Sequence, residues 1–156
     1  PYMPFCYQHP EYGHVMQAET KGSGDFLRSC RLFEDSERAH PITEAETIKV
    51  ERIQGKLLVV GAEDDGLWPT AKYIRRMEKR LHEKPHDCET ELVIYEHGTH
   101  FVFPEGMMKT MLPIGSGLFV KLMFRDARKY GKACRQTRED IDRRIAANLA
   151  EWRRAE

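Results

Sequence analysis

Two short stretches hold the side chains best suited to chemistry. The first is Val59-Val60-Gly61-Ala62-Glu63-Asp64-Asp65-Gly66-Leu67-Trp68-Pro69, and the second is Val93-Ile94-Tyr95-Glu96-His97-Gly98-Thr99-His100-Phe101. Each is an apolar run of β character that ends in a polar, glycine-containing turn. The first turn carries carboxylates and the second imidazoles. An Asp set against Nδ1 of a His fixes the imidazole tautomer, and it stabilises the imidazolium formed when a nucleophile gives up its proton. Asp65 lies five residues past the Leu57–Val60 run, and His100 lies five residues past Tyr95. If the two runs are neighbouring parallel strands, about 4.8 Å apart, both loops leave the edge where open parallel sheets bind ligands. The two side chains then meet, which makes Asp65 and His100 the candidate acid and base.

Other readings of these residues stand beside that one. Glu63, Asp64 and Asp65 together also read as a solvated turn or as charge at a helix N-terminus. His97 rivals His100, and either can be a satisfied loop histidine. His97-x-x-His100 invites a metal reading, but two loop histidines without a third nearby ligand make a poor zinc site. His82 and His86 are separated by Pro85, which breaks any helix that would align them. No metal and no cofactor are therefore expected.

A nucleophile is the missing part. The chain contains no G-x-S-x-G or G-x-C-x-G elbow. Ser23 and Ser116 each sit between two glycines, but an elbow needs Gly at minus two and plus two, so both read as turns. Cys6, Cys30, Cys88 and Cys134 show no C-x-x-C and no zinc spacing. They read as reduced thiols of a cytoplasmic protein, and none has the glycines of an elbow.

These loops need elements to hold them. Residues 1–24, rich in aromatic residues, Pro, Gly and His, show no period and read as a connection or part of a lid. A helix is expected over Asp25–His40, with Asp25 as N-cap and Phe26, Leu27, Cys30 and Phe33 on one face. Thr43–Glu46 is a short acidic turn. Leu57–Val60, bounded by Gly55 and Gly61, reads as a strand buried on both faces. A helix follows from about Trp68 to Leu81, with Ile74, Met77 and Leu81 as its stripe. Glu91–Tyr95 is the second strand, which completes a βαβ unit. The Met-rich stretch up to Phe124 is undefined, with Gly115-Ser116-Gly117 as a flexible turn. The last helix runs from about Thr137 to Arg153, with Ile141, Ile145, Leu149 and Trp152 as a buried stripe.

The 156 residues suffice for one domain. Residues 1–45 form the connection or lid-like part, and 46–156 form the βαβ unit with C-terminal helices. The 25 basic and 25 acidic residues cancel, so no long-range field points to nucleic acid or an anionic membrane. No apolar run reaches the roughly 18–20 residues a membrane span needs, and no signal peptide is visible. Arg75-Arg76 and Arg143-Arg144 read as solvated helix faces, with contact to coenzyme A phosphates as the alternative. Pro-Tyr-Met-Pro is an unusual natural start and points to an internal cut or a processed chain. Two parallel strands cannot bury both faces of a sheet. The expectation is an α/β fold whose sheet is incomplete in this chain, completed by an N-terminal segment or by self-association through the exposed edge.

Ile53-x-Gly55-x-Leu57-Leu58-Val59-Val60-Gly61-x-x-Asp64-Asp65-x-x-Trp68-Pro69 resembles the acid-bearing segment of a known C-terminal domain. That domain is shared by acyl-CoA thioester hydrolases and bile acid-CoA:amino acid N-acyltransferases, α/β-hydrolases close to dienelactone hydrolases. Tyr95–Phe101 resembles its Tyr-Pro-x-x-Gly-His-Tyr/Phe loop. The match runs from about Ile48 to Pro104 and continues more loosely from Gly131 to Arg144. The resemblance implies the C-terminal portion of an α/β-hydrolase fold. It also implies an acyl-CoA or ester substrate and a Ser/Cys-His-Asp triad. The family's second Asp, three before Trp, maps to Asp65, and its final His maps to His100. Gly98-Thr99 departs from the family's small residue plus Gly before the histidine. The nucleophile segment, Ser in the hydrolases and Cys in the acyltransferases, lies outside this chain. A dienelactone or peptidase-type hydrolase shares the same two loops. A non-catalytic binding module on the same scaffold is the rival from another class.

Overall fold

The computed structural model describes residues 13–112 and 115–155. Helices Gly13–Thr20 (α1) and Cys30–Ala39 (α2) lead through a 3-10 turn at Val50–Arg52 into strand Lys56–Ala62 (β1). Helix Thr70–Glu83 (α3) connects it to strand Glu89–Tyr95 (β2). Short helices Glu105–Met111 (α4), Ser116–Met123 (α5) and Arg125–Lys129 (α6) precede the long helix Gly131–Ala155 (α7).

β1 and β2 pair in parallel, from Lys56 opposite Glu89 to Ala62 opposite Tyr95. Side chains alternate across a strand, and the partners on each face differ accordingly. Leu92 packs with Leu81 of α3, and Gly61 lies so close to α3 that a Cβ there would stand 2.7 Å from Ile74 Cδ1. On the opposite face Tyr95 donates its hydroxyl proton to Asp140 of α7 at 2.8 Å. Glu91 on that face pairs with Arg144 of the same helix. The sheet is thus held between α3 and α7.

The βαβ unit is as the sequence predicts, but its burial is not. Leu57 to Val60 are only half-buried, because two strands leave each an unpaired edge. The larger core lies elsewhere. Met108, Val120 and Ala127 of α4–α6, and Phe124 between α5 and α6, pack with Phe101, Phe103, Phe119 and Leu67. The Met-rich stretch with no readable period therefore supplies most of this cluster. Its helices are too short for periodicity to be legible.

Three further expectations change. Residues 13–20 form α1, where no element was expected. The predicted 25–40 helix begins only at Cys30, and Asp25 is not its cap. The Asp25 carboxylate instead accepts the backbone N–H of Arg125 at 2.6 Å, at the start of α6, and pairs with Arg28 at 2.7 Å. Phe26, expected on a buried face, is exposed. The last helix begins six residues before Thr137, at Gly131. Its stripe is buried only at one end: Ile141 is buried, while Leu149 and Trp152 are exposed. No helix among the described residues is long and apolar enough to cross a membrane.

Candidate active site

The turn after β1 carries three carboxylates with three separate partners. Glu63 is exposed and pairs with Arg75 of α3. Asp65 is buried. Its Oδ1 accepts the backbone N–H of Leu67 at 2.9 Å and of Trp68 at 3.1 Å. Its Oδ2 lies 3.1 Å from the Thr70 hydroxyl, at the first residue of α3. A buried carboxylate is costly without such donors, and here they also fix its orientation. α2 braces the turn from outside. Ser29 donates its hydroxyl proton to the Leu67 carbonyl at 2.6 Å, and its own N–H lies within reach of the Gly66 carbonyl at 2.9 Å.

His100 reaches this carboxylate from the loop after β2. Its Nδ1 stands 3.1 Å from Asp65 Oδ2 and 3.2 Å from Oδ1. With Asp65 ionised, Nδ1 carries the proton and donates it. Nε2 then presents a lone pair, and it has no hydrogen-bond partner among the described residues. The Trp68 ring meets the imidazole edge-on, with centroids 4.8 Å apart. The two residues singled out from spacing are therefore in contact.

Asp64 and His97, weighed only as rivals, form a second pairing. Asp64 Oδ1 accepts the backbone N–H of Gly98 at 2.9 Å and of Thr99 at 2.7 Å. His97 Nδ1 lies 3.4 Å from Asp64 Oδ2, and the ring stacks on Tyr130 at 3.7 Å. Thr137 of α7 donates its hydroxyl proton to the His97 carbonyl at 2.6 Å. Thr99 is fully buried, with φ of 59°. The left-handed region costs an L-residue about 1–2 kcal/mol. A hydrogen bond to a charged group contributes about 1.5–3 kcal/mol, so the two amide bonds to Asp64 offset that strain. The resemblance flagged this position, since the family carries Gly where Thr99 stands. The clamp itself left no signal beyond two adjacent aspartates.

Other polar candidates have partners of their own or lie at the surface, and the Ser116 side chain lies outside what the structure describes. Ser23 donates to the Thr20 carbonyl at 2.8 Å and accepts the Asp25 N–H at 3.0 Å. Cys30 donates to the Asp65 carbonyl, with Sγ 3.0 Å from the oxygen. Burial, reinforced by the Asp65 charge, pushes its thiol up to about 12. Burial likewise pushes Cys134 up to about 11. Neither is an activated thiolate. Cys30, Cys88 and Cys134 are free thiols; Cys6 lies outside the described residues. His82 and His86 are exposed. Arg75, Arg76, Arg143 and Arg144 all hold carboxylates. No group of three or more His, Cys, Asp or Glu among the described residues is placed to hold a metal ion.

The family described as BAAT / Acyl-CoA thioester hydrolase C terminal matches residues 8–107, well over half of the chain. The chain belongs to that family. No curated protein and no solved structure matches.

Proposed function

We propose that this chain supplies the acid and base of a Ser/Cys-His-Asp site that cleaves acyl thioesters, with an acyl-CoA as substrate. Asp65 is the acid and His100 the base, set on the C-terminal part of an α/β-hydrolase fold. The nucleophile comes from residues outside this sequence, in the segment that also completes the sheet. Family membership supports acyl-CoA thioester hydrolysis or acyl transfer as the class of activity. A cytoplasmic setting suits the free thiols. The observation that carries the reading is the Asp65 carboxylate at Nδ1 of His100, with Nε2 left without a hydrogen-bond partner among the described residues.

In the proposed reaction His100 Nε2 takes the proton of the Ser hydroxyl or Cys thiol. The nucleophile attacks the acyl carbonyl and forms a tetrahedral intermediate. That intermediate collapses as the C–S bond breaks, and the imidazolium returns its proton to the departing thiolate. Water then attacks the acyl-enzyme, with His100 taking its proton; the bond from the acyl carbon to the Ser or Cys breaks, the imidazolium returns the proton to that nucleophile, and the free acid leaves. An amine in place of water gives acyl transfer. Asp65 stays ionised and stabilises the imidazolium in both halves.

The test is acyl-CoA cleavage by the polypeptide that joins this chain to its nucleophile-bearing segment. Asp65→Asn leaves the geometry but favours the wrong tautomer, and a loss of about 10⁴ in kcat is expected. His100→Ala loses the base altogether. Wild-type rates in either variant, or an upstream coding sequence without an elbow, would remove the triad. A non-catalytic binding module would then be the reading to pursue.

A further inference from the structure

We infer that Asp64 is a positioning residue: it holds Thr99 in a left-handed backbone conformation, so that His100 meets Asp65. The link is short. Asp64 and Asp65 are consecutive, and Thr99 and His100 are consecutive, so the two contacts form two rungs between the same pair of loops. One rung grips the backbone of the second loop and the other grips the imidazole. Thr99 is fully buried at φ 59°, a conformation that a β-branched residue leaves unless its surroundings impose it. The Thr99 hydroxyl accepts the Phe101 N–H at only 3.3 Å. The firmer hold is the pair of N–H bonds from Gly98 and Thr99 to Asp64 Oδ1. Relaxing φ at Thr99 turns the next residue, and with it the direction from which the imidazole approaches Asp65.

The catalytic consequence rests on the hydrolase reading above; the geometric one does not. The first measurement is therefore the His100 Nδ1–H proton in the NMR spectrum of the 156-residue chain, which needs neither nucleophile nor substrate. A downfield proton protected by Asp65 is expected in the wild type. Asp64→Ala is expected to lose it. Asp64→Asn retains an acceptor for both amides and is expected to keep it. Thr99→Gly in the Asp64→Ala background removes the strain and is expected to restore the signal. In the polypeptide carrying the nucleophile, the same series is expected to lower and restore kcat by about tenfold or more, with KM unchanged. An Asp64→Ala protein with the wild-type signal overturns the inference. A double variant no better than Asp64→Ala also overturns it. If Asp64→Ala alone fails to fold, the double variant decides: it must fold and show the signal. A normal signal series alongside no thioester cleavage would sink the hydrolase reading and leave the positioning relation standing.

Discussion

The Thr70 hydroxyl lies 3.1 Å from Asp65 Oδ2 and 3.3 Å from the Ala62 carbonyl, between the last residue of β1 and the carboxylate it leads to. It has one proton to give, and the carboxylate is the stronger acceptor. The helix that crosses between the strands thus steadies the acid with its first side chain. Thr70→Val keeps the shape and removes the donor. A stability loss of about 1–2 kcal/mol is expected, with a fall in kcat of about tenfold or less as Asp65 gains freedom. Thr70→Ser is expected to restore both. Thermal melts and acyl-CoA turnover measure the pair. A Val variant that loses stability but turns over at the wild-type rate would mean the hydroxyl points to the Ala62 carbonyl instead.

Gly98 has no room for a side chain. A Cβ there would stand 2.5 Å from Val102 Cγ1, 3.1 Å from the Ala62 Cβ and 3.3 Å from Thr137 Cγ2. Val is stiff at χ1, so the backbone must move. Gly98→Ala is expected to cost about 1–3 kcal/mol by overpacking. It is also expected to weaken the His100–Asp65 contact. Gly106, in the first turn of α4, would set a Cβ 3.5 Å from the Asp142 carboxylate, with no closer contact outside its own helix among the described residues. Gly106→Ala is expected to stabilise by about 0.5–1 kcal/mol through helix propensity. Urea midpoints of the two variants should move in opposite directions.

How much of this was legible beforehand depends on the range of each cause. The strands and α3 are local patterns: an apolar run between glycines, then a stripe at Ile74, Met77 and Leu81. The strands end side by side, with Ala62 opposite Tyr95, and the short loops beyond them, three residues to Asp65 and five to His100, close on one place. The sequence reads Asp25 as a cap because its partner, the Arg125 N–H, lies 100 residues away. The exposed end of α7 is not legible because amphipathic spacing says which face is apolar, not whether anything covers it. Asp64 reads only as a competitor to Asp65, because its two acceptor bonds exist only after β1 and β2 pair.

Arg138 of α7 and Glu105 of α4 form a buried ion pair at 2.6 Å, 4% and 7% exposed. The pair anchors the short helix that carries Met108 into the main core. Removing Arg138 leaves the buried Glu105 carboxylate, among the described residues, only the exposed Lys109 ammonium, 3.8 Å away, and Arg138→Ala is expected to cost up to about 3–5 kcal/mol. At this chain length each kcal/mol lowers Tm by about 2–4 °C. Replacing both residues, Arg138→Met with Glu105→Leu, is expected to cost less than the single change, because no unpaired charge remains. A double variant worse than Arg138→Ala would show that the pair contributes more than its own desolvation costs.

Cys30 sets an alkaline limit on the acid turn. Its thiol donates to the Asp65 carbonyl, and burial pushes it up from 9.0 to about 12. The folded state therefore holds the proton more tightly than the unfolded chain. The associated stability is fully present below pH about 9 and is lost as pH rises toward about 12. Cys30→Ser keeps a donor to the same carbonyl and does not titrate in that window. Tyr95 and Cys134, both also raised, remain in both proteins and cancel in the comparison. Wild type is expected to lose stability faster than Cys30→Ser between these limits, by no more than about 1.4 kcal/mol per pH unit. At pH 8 the native thiol is expected to alkylate roughly a thousandfold more slowly than an ordinary one, in proportion to its thiolate fraction. Equal slopes together with ordinary labelling would mean that Cys30 ionises as freely in the folded chain as in the unfolded one. The Sγ contact to Asp65 would then not be holding the turn.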